Sequence, residues 1–438
     1  MAFSFRGGLS LDGRKLTAGE PIQTMPAPNL VTIPLLQNKS EPAVPEVAMG
    51  ERVLKGQRIA ATSDGQSVYH ASVSGKVLSV SRVMTTLGES EAIVLENDHK
   101  DEICPSVQPF SKPIGKAEPE ELIAHIRAKG IAGMGGKAFP TAQKLEAARG
   151  KATRIVINCA ESEPYLTSDH RLLLEKTAEV VAGVKILLRA TGCERAIFAL
   201  ESNKENAVPA LQRVFGKSPS FAVAVCRTKY PQGDEKHLVS ALTGSEIPAG
   251  MLPIDMGLVI FNVETCYAVY RAFVTGMPAV ERLVTVSGDC IKTPSNLIVP
   301  IGTAFADVIQ NCGGTVCTPD RILSGGPMMG EAVPEDSVPV TKCVSAVIAL
   351  RVPDYREENC IRCGRCSRLC PIRLMPMELY DAVKRNKEKK ALAYSIEACS
   401  ECGLCTYICP ARLPLTETIR EGKGLFDPSR KGEEDGTK

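Results

Sequence analysis

The chain has 438 residues, 44% of them hydrophobic, with 52 Lys+Arg against 50 Asp+Glu for a net charge of +2; that is long enough for roughly two to four packed domains and rules out a disordered or fibrous class. The near balance of charge leaves no large basic field and argues against nucleic acid as a partner. No apolar run reaches the ~18 residues that a membrane-spanning helix needs, and the opening MAFSFRGGLSLDGRK alternates Phe, Gly and polar residues instead of following a charged stretch with an apolar one, so neither a signal peptide nor a spanning segment is expected.

Over 44–83 the chain reads as short strands and turns. In VLKGQRIA and SVYHASVSGKVLSV apolar residues recur at two-residue spacing around Gly75, the pattern of a half-buried strand. The order G-x-x-V-x-x-G-Q-x-I from Gly50 to Ile59, followed by ASVSGKV, resembles the lipoyl/biotinyl hammerhead (barrel-sandwich) fold. No Met-Lys-Met or Asp-Lys-Ala tip stands between the halves, so a scaffold is expected and not a swinging arm. A Pro-containing linker at 105–119 leads to a helix over 120–129, a glycine loop and a helix from Thr141. Strands RIVINCA, AIFAL, FAVAVC and LVIF then alternate with helices over 172–190, over 206–215, from Glu235 and from Glu264. Such alternation means an α/β domain with a largely parallel sheet, which binds ligands at the carboxyl ends of its strands. From Arg282 the pattern changes to LVTVSG, SNLIVPI, a helix over 303–311 and the glycine-rich ILSGGPMMG, read as a small β-grasp module. A helical segment begins at Asn359. Its run Lys384, Arg385, Lys387, Lys389, Lys390 reads most simply as a solvated helix face, with a docking surface for an acidic ferredoxin or for lipid headgroups as the sharper alternative. The tail KGEEDGTK lacks apolar residues and is expected to be disordered.

Eight of the 17 cysteines fall in two copies of C-x-x-C-x-x-C-x-x-x-C-P: Cys360, Cys363, Cys366, Cys370 before Pro371, and Cys399, Cys402, Cys405, Cys409 before Pro410. The short spacings let one loop wrap three thiolates around a cubane, and in two-cluster ferredoxins the fourth cysteine ligates the partner cluster. On that crossing Cys360, Cys363, Cys366 and Cys409 hold one [4Fe-4S] cluster, and Cys399, Cys402, Cys405 and Cys370 the other. Structural zinc also uses C-x-x-C pairs, but not four cysteines with a terminal proline, repeated. Reduced thiolates imply a reducing compartment.

Between the first two helices of the α/β region lies Gly130-Ile-Ala-Gly133-Met-Gly135-Gly136-Lys-Ala-Phe139-Pro140. Glycines there let backbone N–H groups approach a phosphate, and the helix from Thr141 offers its positive end; a tight turn is the plain alternative. Three further segments fall at carboxyl ends of strands: Asn158-Cys-Ala-Glu161-Ser-Glu163-Pro164, Tyr230-Pro-Gln-Gly233-Asp234-Glu235 and Phe261-Asn262-Val-Glu264-Thr265. Together the four segments resemble the NADH- and FMN-binding subunit of respiratory complex I, with G-x-G-G-x-x-F-P, N-x-x-E-S-E-P, Y-x-x-G-E-E and N-N-V-E-T in this order. The chain is similar over nearly its whole length, from FRGG at Phe5 through VLKGQ to PLTETIREGK near Lys423, to the RnfC family of the Rnf ion-translocating ferredoxin:NAD oxidoreductases.

That resemblance implies FMN with Gly133, Gly135 and Lys144 on its phosphate side and Asn158, Glu161, Tyr230, Gly233, Asp234, Asn262 and Thr265 around the ribityl chain and ring. It implies NAD(H) with Gly136, Phe139 and Glu163 as its contacts, Phe139 stacking and Glu163 accepting from a ribose or amide. Phe139-Pro140 as a hydrophobic contact at a helix start, and Glu161 and Glu163 as a surface pair, are the plain readings. The chain departs from the family in having Cys159 and Ser162 within the N-x-x-E-x-E segment, Lys137-Ala138 where Ala-Gly is usual, and Gln37-Asn38-Lys39-Ser40 where Q-H-I-G is usual. An extra Cβ at Ala138 restricts backbone approach to a dinucleotide, and Lys137 offers its phosphate a charge instead.

The expected division is an N-terminal β domain (1–104), an FMN/NADH-binding α/β domain (120–280), a β-grasp module (281–345) and a two-cluster ferredoxin-like segment (350–425). The resemblance implies a peripheral subunit on the cytoplasmic side of the bacterial cell membrane. It would exchange electrons between NAD(H), FMN and two clusters so that ferredoxin:NAD oxidoreduction is coupled to Na+ or H+ transport by membrane partner subunits. A cobalamin (corrin) reductase of microcompartments shares the layout and is the runner-up. A non-catalytic iron-sulfur relay with an empty glycine loop is the third reading.

Overall fold

The computed structural model describes residues 2–248, 250–354 and 356–426; the polar tail from Lys431 lies outside the described residues. Four parallel strands form the central sheet, in the spatial order Phe221–Cys226, Arg195–Glu201, Arg154–Cys159, Leu258–Asn262. Their near-continuous apolar runs reflect burial on both faces, and the helices Pro119–Ala128, Thr177–Thr191 and Val263–Val274 supply much of that cover through Leu122, Ile126, Val180, Val184, Val269 and Phe273. The chain order of these strands reverses between Arg154–Cys159 and Leu258–Asn262. That is the switch point where an open α/β sheet leaves a crevice beyond its strand ends. Asn158 and Asn262 are register partners there.

The expected helix over 172–190 is two helices, Ser168–Glu175 and Thr177–Thr191. Lys176 leaves helical geometry at φ −126°, ψ 32°, and the Thr177 hydroxyl donates to the Leu173 carbonyl at 2.5 Å, the side-chain competition by which Ser and Thr interrupt helices. The segment over 206–215 likewise resolves into a 3₁₀ turn, Ser202–Ala207, and the helix Val208–Phe215.

Two antiparallel sheets face each other in the N-terminal region. One is ordered Leu30–Pro34, Gly88–Asn97, Gly75–Thr85, Arg52–Val53, and the other Val44–Pro45, Arg58–Ala61, Val68–His70. Val31, Ile33, Ile59, Tyr69, Val77 and Leu95 fill the space between them. Residues 2–24 do not join this sandwich. Phe3 and Leu9 bridge to Cys226 and Tyr230 beside the central sheet, and Ile22–Thr24 adds an edge strand to a third, six-stranded sheet.

That third sheet runs Ile22–Thr24, Ser295–Pro300, Glu281–Ser287, Ala346–Leu350, Arg321–Ser324, Glu331–Ala332, with Phe305 and Val308 of the helix Phe305–Asn311 in its core. It therefore extends past 345 to include Ala346–Leu350, a buried run whose strand pairs parallel with Glu281–Ser287. The C-terminal segment is helical: Arg365–Leu369, Pro376–Lys384, Glu388–Ala393, Leu404–Tyr407 and Leu415–Leu425.

Candidate cofactor and cluster sites

The glycine loop is built as a lip. Gly133 N–H donates to the Phe139 carbonyl at 2.8 Å and Ala138 N–H to the Gly133 carbonyl at 3.1 Å, closing the turn from inside. Met134 and Ala138 are buried, whereas Gly135, Gly136, Lys137 and Phe139 face outward. Gly136 has φ +102° and nothing within 4 Å of where a Cβ would stand. Glycine is there for backbone conformation and for an open side that a ligand can approach. Ala138 also has a positive φ, +46°, a conformation that costs a residue with a Cβ. Asn38, buried in the N-terminal sandwich, supports it: its Nδ2 donates to the Ala138 carbonyl and to Ser67 Oγ, each at 3.2 Å.

Around the switch point the polar residues named from sequence are tied mainly to one another. Asn158 Nδ2 donates to the Gly233 carbonyl at 2.8 Å and its Oδ1 accepts from Ala160 N–H at 3.2 Å. Asn262 caps the helix Val263–Val274 through Glu264 N–H and donates to Asp169 Oδ2. Thr265 Oγ1 accepts from Met134 N–H at 2.9 Å, stapling the glycine loop to that helix. Asp234 caps the helix Glu235–Thr243, and Gly233 N–H donates to Ser162 Oγ. Lys144 is brought to the site's edge, where its Nζ pairs with Glu235 at 2.9 Å over the Phe261 ring. Glu161, at φ +45°, accepts from Asp169 N–H through Oε1.

Glu163 turns away from the glycine loop. Its carboxylate accepts from Met328 and Met329 N–H at 3.0 and 2.9 Å, with the Tyr230 hydroxyl at 3.4 Å. Burial pushes this carboxyl up to about 7 despite those bonds. Glu163 therefore joins the sheet edge to the glycine-rich 325–330 loop, while Phe139 stands apart from it and half exposed.

Several residues of the site have no motif to announce them. Lys15 Nζ donates to the carbonyls of Glu161, Glu163 and Leu166 at 2.8, 2.8 and 2.6 Å, fixing the whole loop from the N-terminal arm. Arg282, fully buried, pairs with Glu264 at 3.0 Å and donates to the carbonyls of Met134 and Val344. Asp169 stands beside Glu161 and Glu264, and burial followed by those two charges raises its carboxyl well above the usual range. A basic residue in the FRGG segment's neighbourhood was the only available signal for Lys15. Arg282 and Asp169 offered none.

The residues present fit a group rich in hydrogen-bonding atoms. Glu161 Oε2, Thr141 Oγ1 and both amide atoms of the buried Gln232, next to Gly233, lack a protein partner, and buried polar atoms are normally satisfied. With the exposed Gly135–Gly136 backbone ahead of the helix Thr141–Ala148, they leave hydrogen-bonding capacity that the protein's own groups do not use.

In the C-terminal segment the two cysteine runs have the same backbone. Positive φ recurs at matching places: Arg362 and Glu401, Gly364 and Gly403, Arg373 and Arg412. Arg362 N–H points to Cys360 Sγ and Glu401 N–H to Cys399 Sγ, both at 3.4 Å. Cys399, Cys402, Cys405 and Cys370 line one cavity together with Pro371, Leu404, Thr416 and Ile419. Four thiols gathered in one cavity are the donor set that a [4Fe-4S] cluster takes, and a bound cluster would hold them ionised. Cys366 and Cys409 pack on Ala411, Leu413 and Leu415, while Cys360 is exposed.

Models of known families match the chain in the order of these parts. The RnfC barrel sandwich hybrid domain matches residues 3–100, the Nuo51 FMN-binding domain 126–271, the SLBB domain 283–332 and the 4Fe-4S dicluster domain 359–413. The C subunit of the proton-translocating ferredoxin:NAD(+) oxidoreductase complex of Clostridium ljungdahlii is 42% identical over 86% of this chain and 84% of its own length. The C subunit of the ion-translocating oxidoreductase complex of Rhodobacter capsulatus is 42% identical over 97% of this chain and 83% of its own. The chain belongs to the RnfC family of ion-translocating oxidoreductase complexes. A further member, from the Na(+)-translocating ferredoxin:NAD(+) oxidoreductase complex of Acetobacterium woodii, is 37% identical over 87% of this chain and 88% of its own. An NAD+-reducing [NiFe]-hydrogenase in the H2-reduced state shares the fold at a TM-score of 0.51 and 22% identity, covering 73% of this chain and 63% of that one. Among the described residues no helix is long and apolar enough to cross a membrane.

Proposed function

We propose that this RnfC-family protein exchanges electrons between NAD(H), FMN and two [4Fe-4S] clusters, and so couples ferredoxin:NAD oxidoreduction to Na+ or H+ transport by the other subunits of its complex. The observation that carries this reading is the junction between its two sites. Tyr230, at the flavin-side crevice, is buried, and its hydroxyl donates to the Cys402 carbonyl at 2.7 Å. Gly403, at φ +78°, stands with its Cα against the Met328 carbonyl, where a Cβ would come within 2.5 Å. The loop of Cys399, Cys402 and Cys405 thus abuts the crevice, and Cys360 lies at the surface.

When bound, FMN supplies the conversion between the two electrons of a hydride and the single electrons that each cluster accepts. The chain's own residues bind and orient. Gly133, Gly135 and Lys144 are proposed to serve the FMN phosphate, and Asn158, Glu161, Tyr230, Gly233, Asp234, Asn262 and Thr265 to shape the cradle around ribityl chain and ring. Gly136 and Phe139 are proposed to meet the nicotinamide nucleotide, with Lys137 beside its phosphates. Glu163, assigned there from the resemblance, is proposed instead to brace the crevice against the 325–330 loop. Cys370, Cys399, Cys402 and Cys405 would hold the inner cluster, and Cys360, Cys363, Cys366 and Cys409 the outer one, which faces the partner that exchanges electrons with the complex. The expected division at 1–104, 120–280, 281–345 and 350–425 is retained as a functional one, with the N-terminal arm and the strand Ala346–Leu350 tying the parts together. The protein is peripheral, and we place it on the cytoplasmic face of the membrane, with ferredoxin reaching it directly or through a neighbouring subunit.

Membership in this family favours the translocating complex over corrin reduction, and flavin retained by the purified protein would separate it from an empty relay. The test is reduction of the anaerobic protein. In Gly136→Val a side chain fills the open side of the loop at a strained φ, so NADH-driven bleaching of flavin and clusters should be lost while dithionite still reduces both. Unchanged bleaching by NADH in that variant would place the nicotinamide elsewhere.

A further inference from the structure

Outside both sites, the third sheet's module holds two cysteines in contact. Cys290 follows the strand Glu281–Ser287, and Cys317 precedes Arg321–Ser324. Their Sγ atoms are 2.8 Å apart, inside the van der Waals separation of two unbonded sulfurs. The contact is built by the backbone. Ile291 and Thr315 form an antiparallel bridge, Val316 N–H donates to the Cys290 carbonyl at 2.8 Å, and Cys290 N–H donates to the Ala349 carbonyl at 3.2 Å. Cys290 is fully buried, whereas Cys317 is only partly so and follows the exposed Val316. Neither residue belongs to a cluster motif or to the crevice.

We propose that Cys290 and Cys317 are a dithiol–disulfide site that reacts with a low-molecular-weight disulfide such as glutathione disulfide. The accessible sulfur reacts first. The Cys317 thiol gives up its proton and its sulfur attacks the external disulfide, whose S–S bond breaks, leaving a mixed disulfide on Cys317 and releasing one thiolate that takes up a proton. Cys290, already in contact, then loses its proton and attacks Cys317 Sγ; the mixed disulfide breaks and a second thiol leaves. Two protein thiols are oxidised by two electrons and one external disulfide is reduced to two thiols. Burial and the contact with Cys317 keep the Cys290 thiol high, at about 12, which suits a resolving residue and not an attacking one. The bond needs the sulfurs to close to about 2.05 Å, a small movement of two side chains. It would staple the segment carrying the strand Ser295–Pro300 and the helix Phe305–Asn311. It would also brace Asp289, the neighbour of Cys290, whose carboxylate holds Arg14 at 2.9 Å and Tyr165 at 3.2 Å. A disulfide in a reducing compartment is typically of this reversible, sensing kind.

The test uses the anaerobically purified holoprotein, incubated with glutathione disulfide, quenched in acid, alkylated and mapped by peptide mass. The expected product is a Cys290–Cys317 cross-linked peptide that dithiothreitol reverses, with slower amide exchange over 305–317 than in the reduced protein. In Cys290→Ser, Cys317 should retain one glutathione, and in Cys317→Ser, Cys290 should remain a free thiol. Full alkylation of both cysteines in the treated wild-type protein would overturn the proposal, as would a cross-link of Cys317 to Cys312 instead, or a Cys290→Ser variant that takes up no glutathione on Cys317.

Discussion

The role of Asn38 is visible only in three dimensions, where its amide holds the carbonyl of the strained Ala138. A residue with a Cβ at a positive φ and a donor that supports it are thus in contact. Removing one neutral hydrogen bond costs about 1 kcal/mol, so Asn38→Ala should weaken NADH binding roughly fivefold, read as the Kd from flavin-fluorescence or absorbance titration, with dithionite reduction unchanged. Asn38→Asp, which sets a carboxylate against the same carbonyl, should weaken it further. Equal Kd values in all three proteins would show that the loop holds itself. Asp169 supports a second expectation. Its folded-state carboxyl is raised by burial beside Glu161 and Glu264, so the folded state binds its proton more tightly than the unfolded state does. Its contribution to stability is present below the usual carboxylate range and is lost as pH rises from there through the raised value. Asp169→Asn should flatten the fall of Tm with rising pH over that interval; a parallel pH profile in the variant would mean that the carboxyl is ionised and paired throughout.

At the scale of elements, the strand Glu281–Ser287 does more than seed its own sheet, because Arg282 reaches from it to Glu264 and to the glycine loop. Removing one partner of a buried ion pair leaves an uncompensated charge and costs about 3–5 kcal/mol. Arg282→Met should therefore lower stability by that order in denaturant unfolding, and loosen NADH binding through Met134. A loss below about 1 kcal/mol would mean that Glu264 is protonated when alone and the pair contributes little. The repeated cysteine elements give another expectation. The cavity groups Cys370 with Cys399, Cys402 and Cys405, so Cys370→Ala and Cys402→Ala should perturb the same cluster signal in electron paramagnetic resonance, and Cys363→Ala the other. Iron content should be about eight per wild-type chain, since each motif set holds one cubane. Matching spectra for Cys370→Ala and Cys363→Ala would sink the crossed assignment.

At the scale of the whole molecule, the N-terminal arm links the central sheet, the cysteine segment and the third sheet. Phe3 and Leu9 bridge to the central sheet's side, Gly8 N–H donates to the Leu369 carbonyl within the first cysteine run, Lys15 holds the 161–166 loop and Ile22–Thr24 completes the third sheet. Deleting residues 2–24 should therefore do more than trim an end: flavin retention and the inner cluster should be lost together, whereas a variant confined to Lys15→Met should release flavin and spare iron. Retention of both in the deletion would show that the arm only decorates the surface. Because its relatives are C subunits of ion-translocating complexes, the protein should sediment with membranes when co-expressed with its partner subunits; equal sedimentation with and without them would show that it reaches the membrane by itself.

The sequence by itself determined what depends on local spacing. The two cysteine runs specified cluster loops because ligand spacing is a property of a few consecutive residues. The alternation of apolar strands with helices specified a parallel sheet, because each strand and crossover helix carries its own local periodicity. Hydrophobic periodicity also marked the N-terminal sandwich around Gly75, which opens the strand Gly75–Thr85. What it did not reach was everything held by contacts between distant segments. A continuous apolar pattern over 172–190 reads as one helix, and only packing with the Thr177 hydroxyl breaks it in two. Glu163 shares a motif with Glu161, yet its carboxylate faces the 325–330 loop, a partner 165 residues away. Lys15, Asn38, Arg282 and the pairing of Cys290 with Cys317 follow from which loops the sheets bring together, and a lone Lys, Asn, Arg or Cys has no periodicity from which such a neighbour could be inferred.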